Sequence, residues 1–302
     1  MHRRFLLDSL KEETMSLPAA PQTPEILSAV AFFADQAPPA PELFPAAAPV
    51  WEGLRGLKGL LEQRDYPAWT HKLGAADGPL PHTMVIYQPH QDNGAVPAPV
   101  TVIPGEECEI IYGSADKGGL QVRRGGELLA GASVLMAGTI IMGRRFDLGR
   151  GVLVESGAFL KEPLVVGDHC EIRQGAYLRG YCLIGRRCVV GHVTEVKHSI
   201  FCDDAKAGHF AYLGDSILGP GVNLGAGTKL ANLRFAAGEV QIRYPGGRIA
   251  SGLKKFGAIL GAGCQTGCNA VTNPGTLLGR GSVVMPNTTA PAGYHRPKTM
   301  IR

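Results

Sequence analysis

Every sixth residue from Met136 is apolar: Met136, Met142, Leu148, Val154, Leu160, Val166, Ile172, Leu178, Ile184, Val190 and Val196. The next residue is repeatedly glycine, at Gly143, Gly149, Gly167, Gly185 and Gly191. Four places after the aliphatic stands a second restricted column: Val152, Ala158, Leu164, Cys170, Ala176, Cys182, Cys188, Thr194 and Ile200. Chance does not give both columns at once. A six-residue period is the signature of a parallel β-helix, in which each hexad is one short side and three make a coil of about 18 residues. The aliphatic points inward and the small slot fills the corner beside it. Glycine after the aliphatic is expected to ease a tight turn by adopting positive φ. The fold class is therefore mainly β, a left-handed parallel β-helix of hexapeptide repeats with a mixed α/β N-terminal region. The left hand of hexapeptide helices is an exception to the right-handed crossover rule.

The register shortens by one residue at Phe201, runs through Ala207 and Leu213, shortens again at Leu218, and continues through Leu224 and Leu230. A polar break containing YPGGR (244–248) follows, and the period returns at Leu260, Thr266, Thr272, Leu278 and Val284. The expected organisation is an N-terminal region over 1–135, a β-helix over 136–290 with an inserted loop at 234–255, and a tail over 291–302. An insertion of that length in a compact domain is expected to be either functional or disordered. In the N-terminal region, 24–35 and 50–64 have helical spacing, and 98–135 reads as short strands.

Composition narrows the partners. A net charge of +4 with no dense Lys/Arg run argues against nucleic acid. No stretch of about 18 apolar residues predicts a membrane span. The opening segment, 1–13, has too short an apolar run for a signal peptide. The seven cysteines lack zinc-ribbon spacing. Cys170, Cys182, Cys188 and Cys264 fall in the small inward slot, so reduced core thiols and a cytoplasmic protein are expected.

Residues one coil apart stack. Arg179 and Lys197 are 18 apart in the slot after the aliphatic, so both project from one corner. Two stacked cations repel. They are either a solvated surface pair or a clamp for a phosphate that relieves the repulsion. His192 precedes His209 by one shortened coil and so stacks on it, both facing outward. His198 falls on another face, so His192, His198 and His209 do not make a three-ligand zinc set, and no metal is expected.

The stretches EVKHS (195–199), KAGHFAYLGDSILGPGVNLGAGT (206–228) and GAGTKLANLRF…RIASGLKKFGAILG resemble the acetyltransferase domain of bifunctional N-acetylglucosamine-1-phosphate uridyltransferase/glucosamine-1-phosphate acetyltransferases. The pattern is most similar to the archaeal sugar-1-phosphate nucleotidylyltransferase/acetyltransferase type, and it covers about half of the chain, roughly 136–290. The resemblance implies a homotrimer with sites between subunits and acetyl-CoA as co-substrate. It implies His209 as the general base that takes the proton of an amino-sugar amine attacking the thioester, a task suited to a base titrating near neutrality. It implies that Arg179 and Lys197 bind the sugar phosphate, that Tyr212 and Asn223 contact the sugar, and that Asn232 positions the reacting groups. The coenzyme would lie along the GAGT turn, Gly225, Ala226, Gly227 and Thr228, contacted mostly by backbone. Leu233 stands where the bacterial pattern has tyrosine, and Arg243, Lys254 and Lys255 are candidates for a lysine carried by the bacterial loop. Residues 1–135 contain no Gly-rich, basic nucleotide loop, so nucleotidyl transfer is not expected. The alternatives are an acyltransferase acting on a nucleotide-linked amino sugar, and a non-catalytic trimer that binds such ligands.

Overall fold

The computed structural model describes residues 23–73, 77–89 and 99–302. Short parallel strands wind around three faces. One coil runs through Val189–His192 on the first face, Glu195–Lys197 on the second and Ser199–Phe201 on the third. The next repeats this order with Lys206–His209, Tyr212–Gly214 and Ile217–Leu218. Each strand hydrogen-bonds to its counterpart one coil away, with pairs such as Val190↔Ala207, Val196↔Leu213 and Phe201↔Leu218. These side chains are fully buried and form one continuous core column. Burial of each of the larger ones, Val190, Val196, Phe201, Leu213 and Leu218, stabilises the fold by roughly 1.5–3 kcal/mol. The small slot holds Cys170, Cys182, Cys188 and Cys264, all fully buried, as the repeat predicts.

The hexad reading needs four corrections. In the first coil Leu135 and Ile141, not Met136 and Met142, enter the core. The 142–145 corner is one residue longer than the 161–163 corner above it, which displaces the frame. Second, the shortening after Val196 occurs at the His198 corner, so Cys182 pairs with Ser199 and Leu183 with Ile200. Ser199 therefore takes the small slot, and Ile200 faces outward.

Third, of the five glycines after the aliphatic, Gly143 adopts positive φ, but Gly149, Gly167, Gly185 and Gly191 do not; that conformation falls two residues later, at Gly151, His169, Arg187 and Val193. These glycines instead allow backbones to pass closely: a Cβ on Gly191 would stand 1.7 Å from the Gly208 carbonyl oxygen. Fourth, 291–302 is not a tail. Gly293–His295 pairs with Thr276–Leu278 and Met300–Ile301 with Val283–Val284, which completes a last coil. The period is masked there because polar His295 occupies the aliphatic slot, one shortened coil after Leu278.

The third face is not open to solvent. Its outward residues Leu183, Ile200, Ile217, Ile259 and Leu277 form an aliphatic column in register. Helices α1 (Ala29–Phe33) and α2 (Glu52–Gln63) cover it with Phe32, Trp51, Leu54, Leu57 and Leu61, giving a second core. The insertion adds Val240 and Ile242 to this core. It folds into an antiparallel hairpin, Gln241–Tyr244 against Gly247–Ala250, and its ends are bridged at Leu233↔Lys255. Leu218 and Leu260 consequently stack as though no insertion separated them.

Of the expected strands in 98–135, Thr101–Pro104 pairs antiparallel with Met84–Tyr87, which caps the first face by pairing with Ser133–Leu135. This blunts an edge that would otherwise be free to pair. The 1–13 segment lies outside the described residues. Among the described residues no helix is long and apolar enough to cross a membrane.

Candidate active site

The corner between the second and third faces gathers a polar network. Asp215, only 5% exposed, stands one coil after His198 and one coil before Asn232. Its carboxylate meets His198 Nδ1 at 2.9 Å, accepts from Lys197 Nζ at 3.2 Å, and accepts from the Asn232 amide nitrogen. The Asn232 carbonyl oxygen in turn accepts from the Tyr212 hydroxyl at 3.2 Å. Both ends of the Asn232 amide are thereby fixed. Burial alone would raise the Asp215 carboxyl, but hydrogen bonds from His198 and Asn232 and the Lys197 charge outweigh it and hold the group below the ordinary carboxylate range. The Tyr212 phenol is pushed up by burial and by the charges of Glu195 and Asp215, so it stays a neutral donor.

Arg179 and Lys197 occupy neighbouring coils on the second face, as the spacing predicts. Neither is an unneutralised cation: Arg179 pairs with Glu195 at 2.6 Å, and Lys197 with Asp215. The carboxylates relieve the repulsion that the bare spacing implies. Glu195, His198 and Asp215 are the members of this arrangement that the hexad reading missed.

His209 lies at the end of the first face, exposed, where the chain turns toward Tyr212. Its ring stacks on His192 at 5.8 Å with an interplanar angle of 24°, as expected from the register. The corner residues beside these histidines are Val193 and Phe210, 58% and 60% exposed and both at positive φ. Positive φ is unusual for any side chain and rarer for a β-branched one. The chain thus holds two apolar side chains out into solvent beside the histidine pair, at a corner where neighbouring coils use Gly175 and Gly227.

Asn223 is not brought to this cluster within one chain. It pairs with Lys206, three residues before His209 on the neighbouring strand, so about 10 Å of strand separates the two. The GAGT turn lies one coil beyond His209 and is largely occupied by the fold itself. The amides of Gly225, Gly227 and Thr228 bond to Thr266, His209 and Gly225 carbonyls respectively. Thr228 is fully buried and its hydroxyl bonds the Gly225 carbonyl at 2.7 Å, so it braces the coil from within. A Cβ on Gly227 would meet Asn269 of the next coil. Ala226 is the partly exposed side chain of the turn, and any ligand here meets a smooth surface of small residues. Lys254 and Lys255 are exposed at the end of the insertion. Among the described residues no group of three His, Cys, Asp or Glu is placed to hold a metal ion.

No family model matches the chain. Over 151 residues, 44% of this chain and 38% of the relative, it is 38% identical to the bifunctional sugar-1-phosphate nucleotidylyltransferase/acetyltransferase of Sulfurisphaera tokodaii. Over 112 residues, 37% of this chain and 27% of the relative, it is 36% identical to the bifunctional protein GlmU of Methanococcus vannielii. The C-terminal part of the chain is homologous to these bifunctional enzymes. The chain spans 38% or less of the length of these two curated relatives. Among solved structures, the Francisella novicida UDP-N-acetylglucosamine acyltransferase aligns over 52% of this chain and 60% of its own, with 14% identity and a TM-score of 0.24.

Proposed function

We propose that the chain is an acetyl-CoA-dependent N-acetyltransferase acting on an amino-sugar phosphate, assembled as a homotrimer. Support comes from homology over the solenoid to bifunctional enzymes whose names include an acetyltransferase. The single observation that carries the reading is His209: an exposed imidazole three residues from Tyr212, whose hydroxyl enters the Asn232–Asp215–Lys197 network. In this reaction the sugar amine nitrogen attacks the thioester carbonyl carbon. His209 accepts the amine proton, the C–S bond breaks, and the sulfur leaves as CoA thiol after protonation. Asn232, held rigid from both ends, positions the acceptor, and Tyr212 and Asn223 contact the sugar. Acetyl-CoA supplies the acyl group along the Ala226 side of the GAGT turn.

The test is release of CoA thiol with acetyl-CoA and a series of amino-sugar phosphates. Substituting alanine for His209 is expected to lower kcat by about 10²–10⁴-fold, the usual contribution of a positioned base. Turnover of the unmodified chain no higher than that of H209A across the whole series would overturn the proposal.

A further inference from the structure

A cavity of about 550 Å³ opens where the insertion hairpin meets the last coils. Its wall includes Leu233, Arg234, Phe235, Arg243, Arg248 and Asn273, and among the described residues no carboxylate lines it. Arg243 and Arg248 face each other directly across the hairpin. Like charges so placed destabilise a strand pair. Arg234 and Arg243 donate only to neutral carbonyls, of Glu239 at 2.6 Å and Ala292 at 3.4 Å. Among the described residues none of the three forms an ion pair, in contrast to Arg179 and Lys197, which are matched by Glu195 and Asp215. Phe235 is fully exposed beside them, an unusual position for a large apolar ring.

Three unneutralised guanidinium groups and one free aromatic face in a cavity of this size match the chemistry of a nucleoside phosphate. Guanidinium binds phosphate oxygens in pairs, and a base stacks on an aromatic ring at a gain of roughly 1–3 kcal/mol. The cavity also adjoins the candidate active site. Leu233 on its wall follows Asn232, so the two backbones are about 4 Å apart. Asn273 stands on the same solenoid edge as Lys197, three coils on through Gly214 and Ala231, or roughly 14 Å at the strand spacing.

We propose that this cavity holds the nucleoside-phosphate end of a substrate, with phosphates between Arg243 and Arg248 and the base against Phe235. As a substrate site it rests on the acyltransferase reading above; as a nucleotide site it is measured by binding alone. Two sources share the chemistry: the nucleoside diphosphate of a nucleotide-linked amino sugar, and the phosphorylated adenosine of CoA. Calorimetric titration of the full chain with UDP and GDP in one arm, and with adenosine 3′,5′-bisphosphate in the other, separates them.

The expected result is saturable binding in one arm, weakened tenfold or more in the R243A/R248A double variant and also weakened in F235A, which leaves every charge in place. Thermal melts establish which variants are folded. No binding in either arm, or unchanged affinity in the folded variants, overturns the proposal. Nucleotide binding without acyl transfer would support the cavity and remove the acyltransferase reading. Acyl transfer without nucleotide binding would do the reverse.

Discussion

At the scale of single residues, Asp215 organises more of the candidate site than any nominated residue. It orients Asn232, neutralises Lys197 and holds His198 from one buried position. Its carboxyl is held low by those partners against the effect of burial. A carboxyl with a lowered folded-state pKa contributes stability above its unfolded value, near pH 4, and loses it as the pH falls through the folded value. Asp215→Asn is therefore expected to cost about 2 kcal/mol at pH 7, the loss of a partly buried charged network. The difference from the unmodified chain should shrink toward zero in melts below the lowered folded value. Equal melting temperatures at pH 7 would show the network to be energetically idle. Asp215 was legible in principle. His198, Asp215 and Asn232 recur at the length of the shortened coil. The 18-residue spacing that stacks Arg179 on Lys197 does not reveal the 17-residue spacing of His198, Asp215 and Asn232, which follows only once the shortening is placed at the His198 corner. The His192–His209 stack follows from the same 17-residue spacing. Thr228, four places after Leu224, falls in the small buried slot that cysteine fills elsewhere, so its position in the hexad and not its place in the GAGT turn decides that it faces the interior.

At the scale of elements, the helices of the N-terminal region are held by a face of the solenoid that has no solvent-facing side. In an ordinary coil the residue between two inward positions is polar, but on the third face it is Leu183, Ile200, Ile217, Ile259 or Leu277. α2 packs its Leu54, Leu57 and Leu61 stripe onto this column, and Glu62 anchors it by accepting from the Tyr181 hydroxyl at 2.9 Å. Leu57→Ala is expected to destabilise the protein by about 2–5 kcal/mol. The same change should raise proteolytic cleavage around 50–64 well before the solenoid melts. A loss no larger than about 0.5 kcal/mol, the range of an ordinary surface substitution, would mean that the helix is only loosely seated. The helical spacing of 50–64 was readable, and α2 lies within it. Where the helix docks was not, because an aliphatic outward column resembles an extra core column until the strand register is known. The same ambiguity placed Ile200 in the wrong slot.

At the scale of the whole molecule, the helices cover the third face and the N-terminal region covers part of the first, where Ala115 and Val122 cluster with Leu153 and Asp116 pairs with Lys206. The rest of the first face and the second stay available. These two faces meet at the corner that carries His192, His209, Val193 and Phe210. Exposed apolar side chains on constrained backbone are what an association surface offers. In the proposed trimer this corner is covered by a second subunit, which would bring an Asn223 from that subunit toward a site that one chain leaves divided. Sedimentation equilibrium is expected to give a mass three times 31.9 kDa. Phe210→Asp should shift the distribution toward monomer and lower acetyl transfer with it. A monomer with undiminished turnover would rule the assembly out. The strands after Ala290, hidden from the hexad count by His295, lengthen the third and first faces.

The pinch at Leu233 and Lys255 separates two evolutionary problems. Leu218 and Leu260 stack as if consecutive, so the ladder is indifferent to what the chain does between the two ends of the hairpin. The insertion is in effect a cassette: its tip, turn and arginines are free to be lengthened, exchanged or redrawn while the coils keep their register. A scaffold of this kind acquires a new ligand preference at one locus so long as Val240 and Ile242 keep their places in the second core.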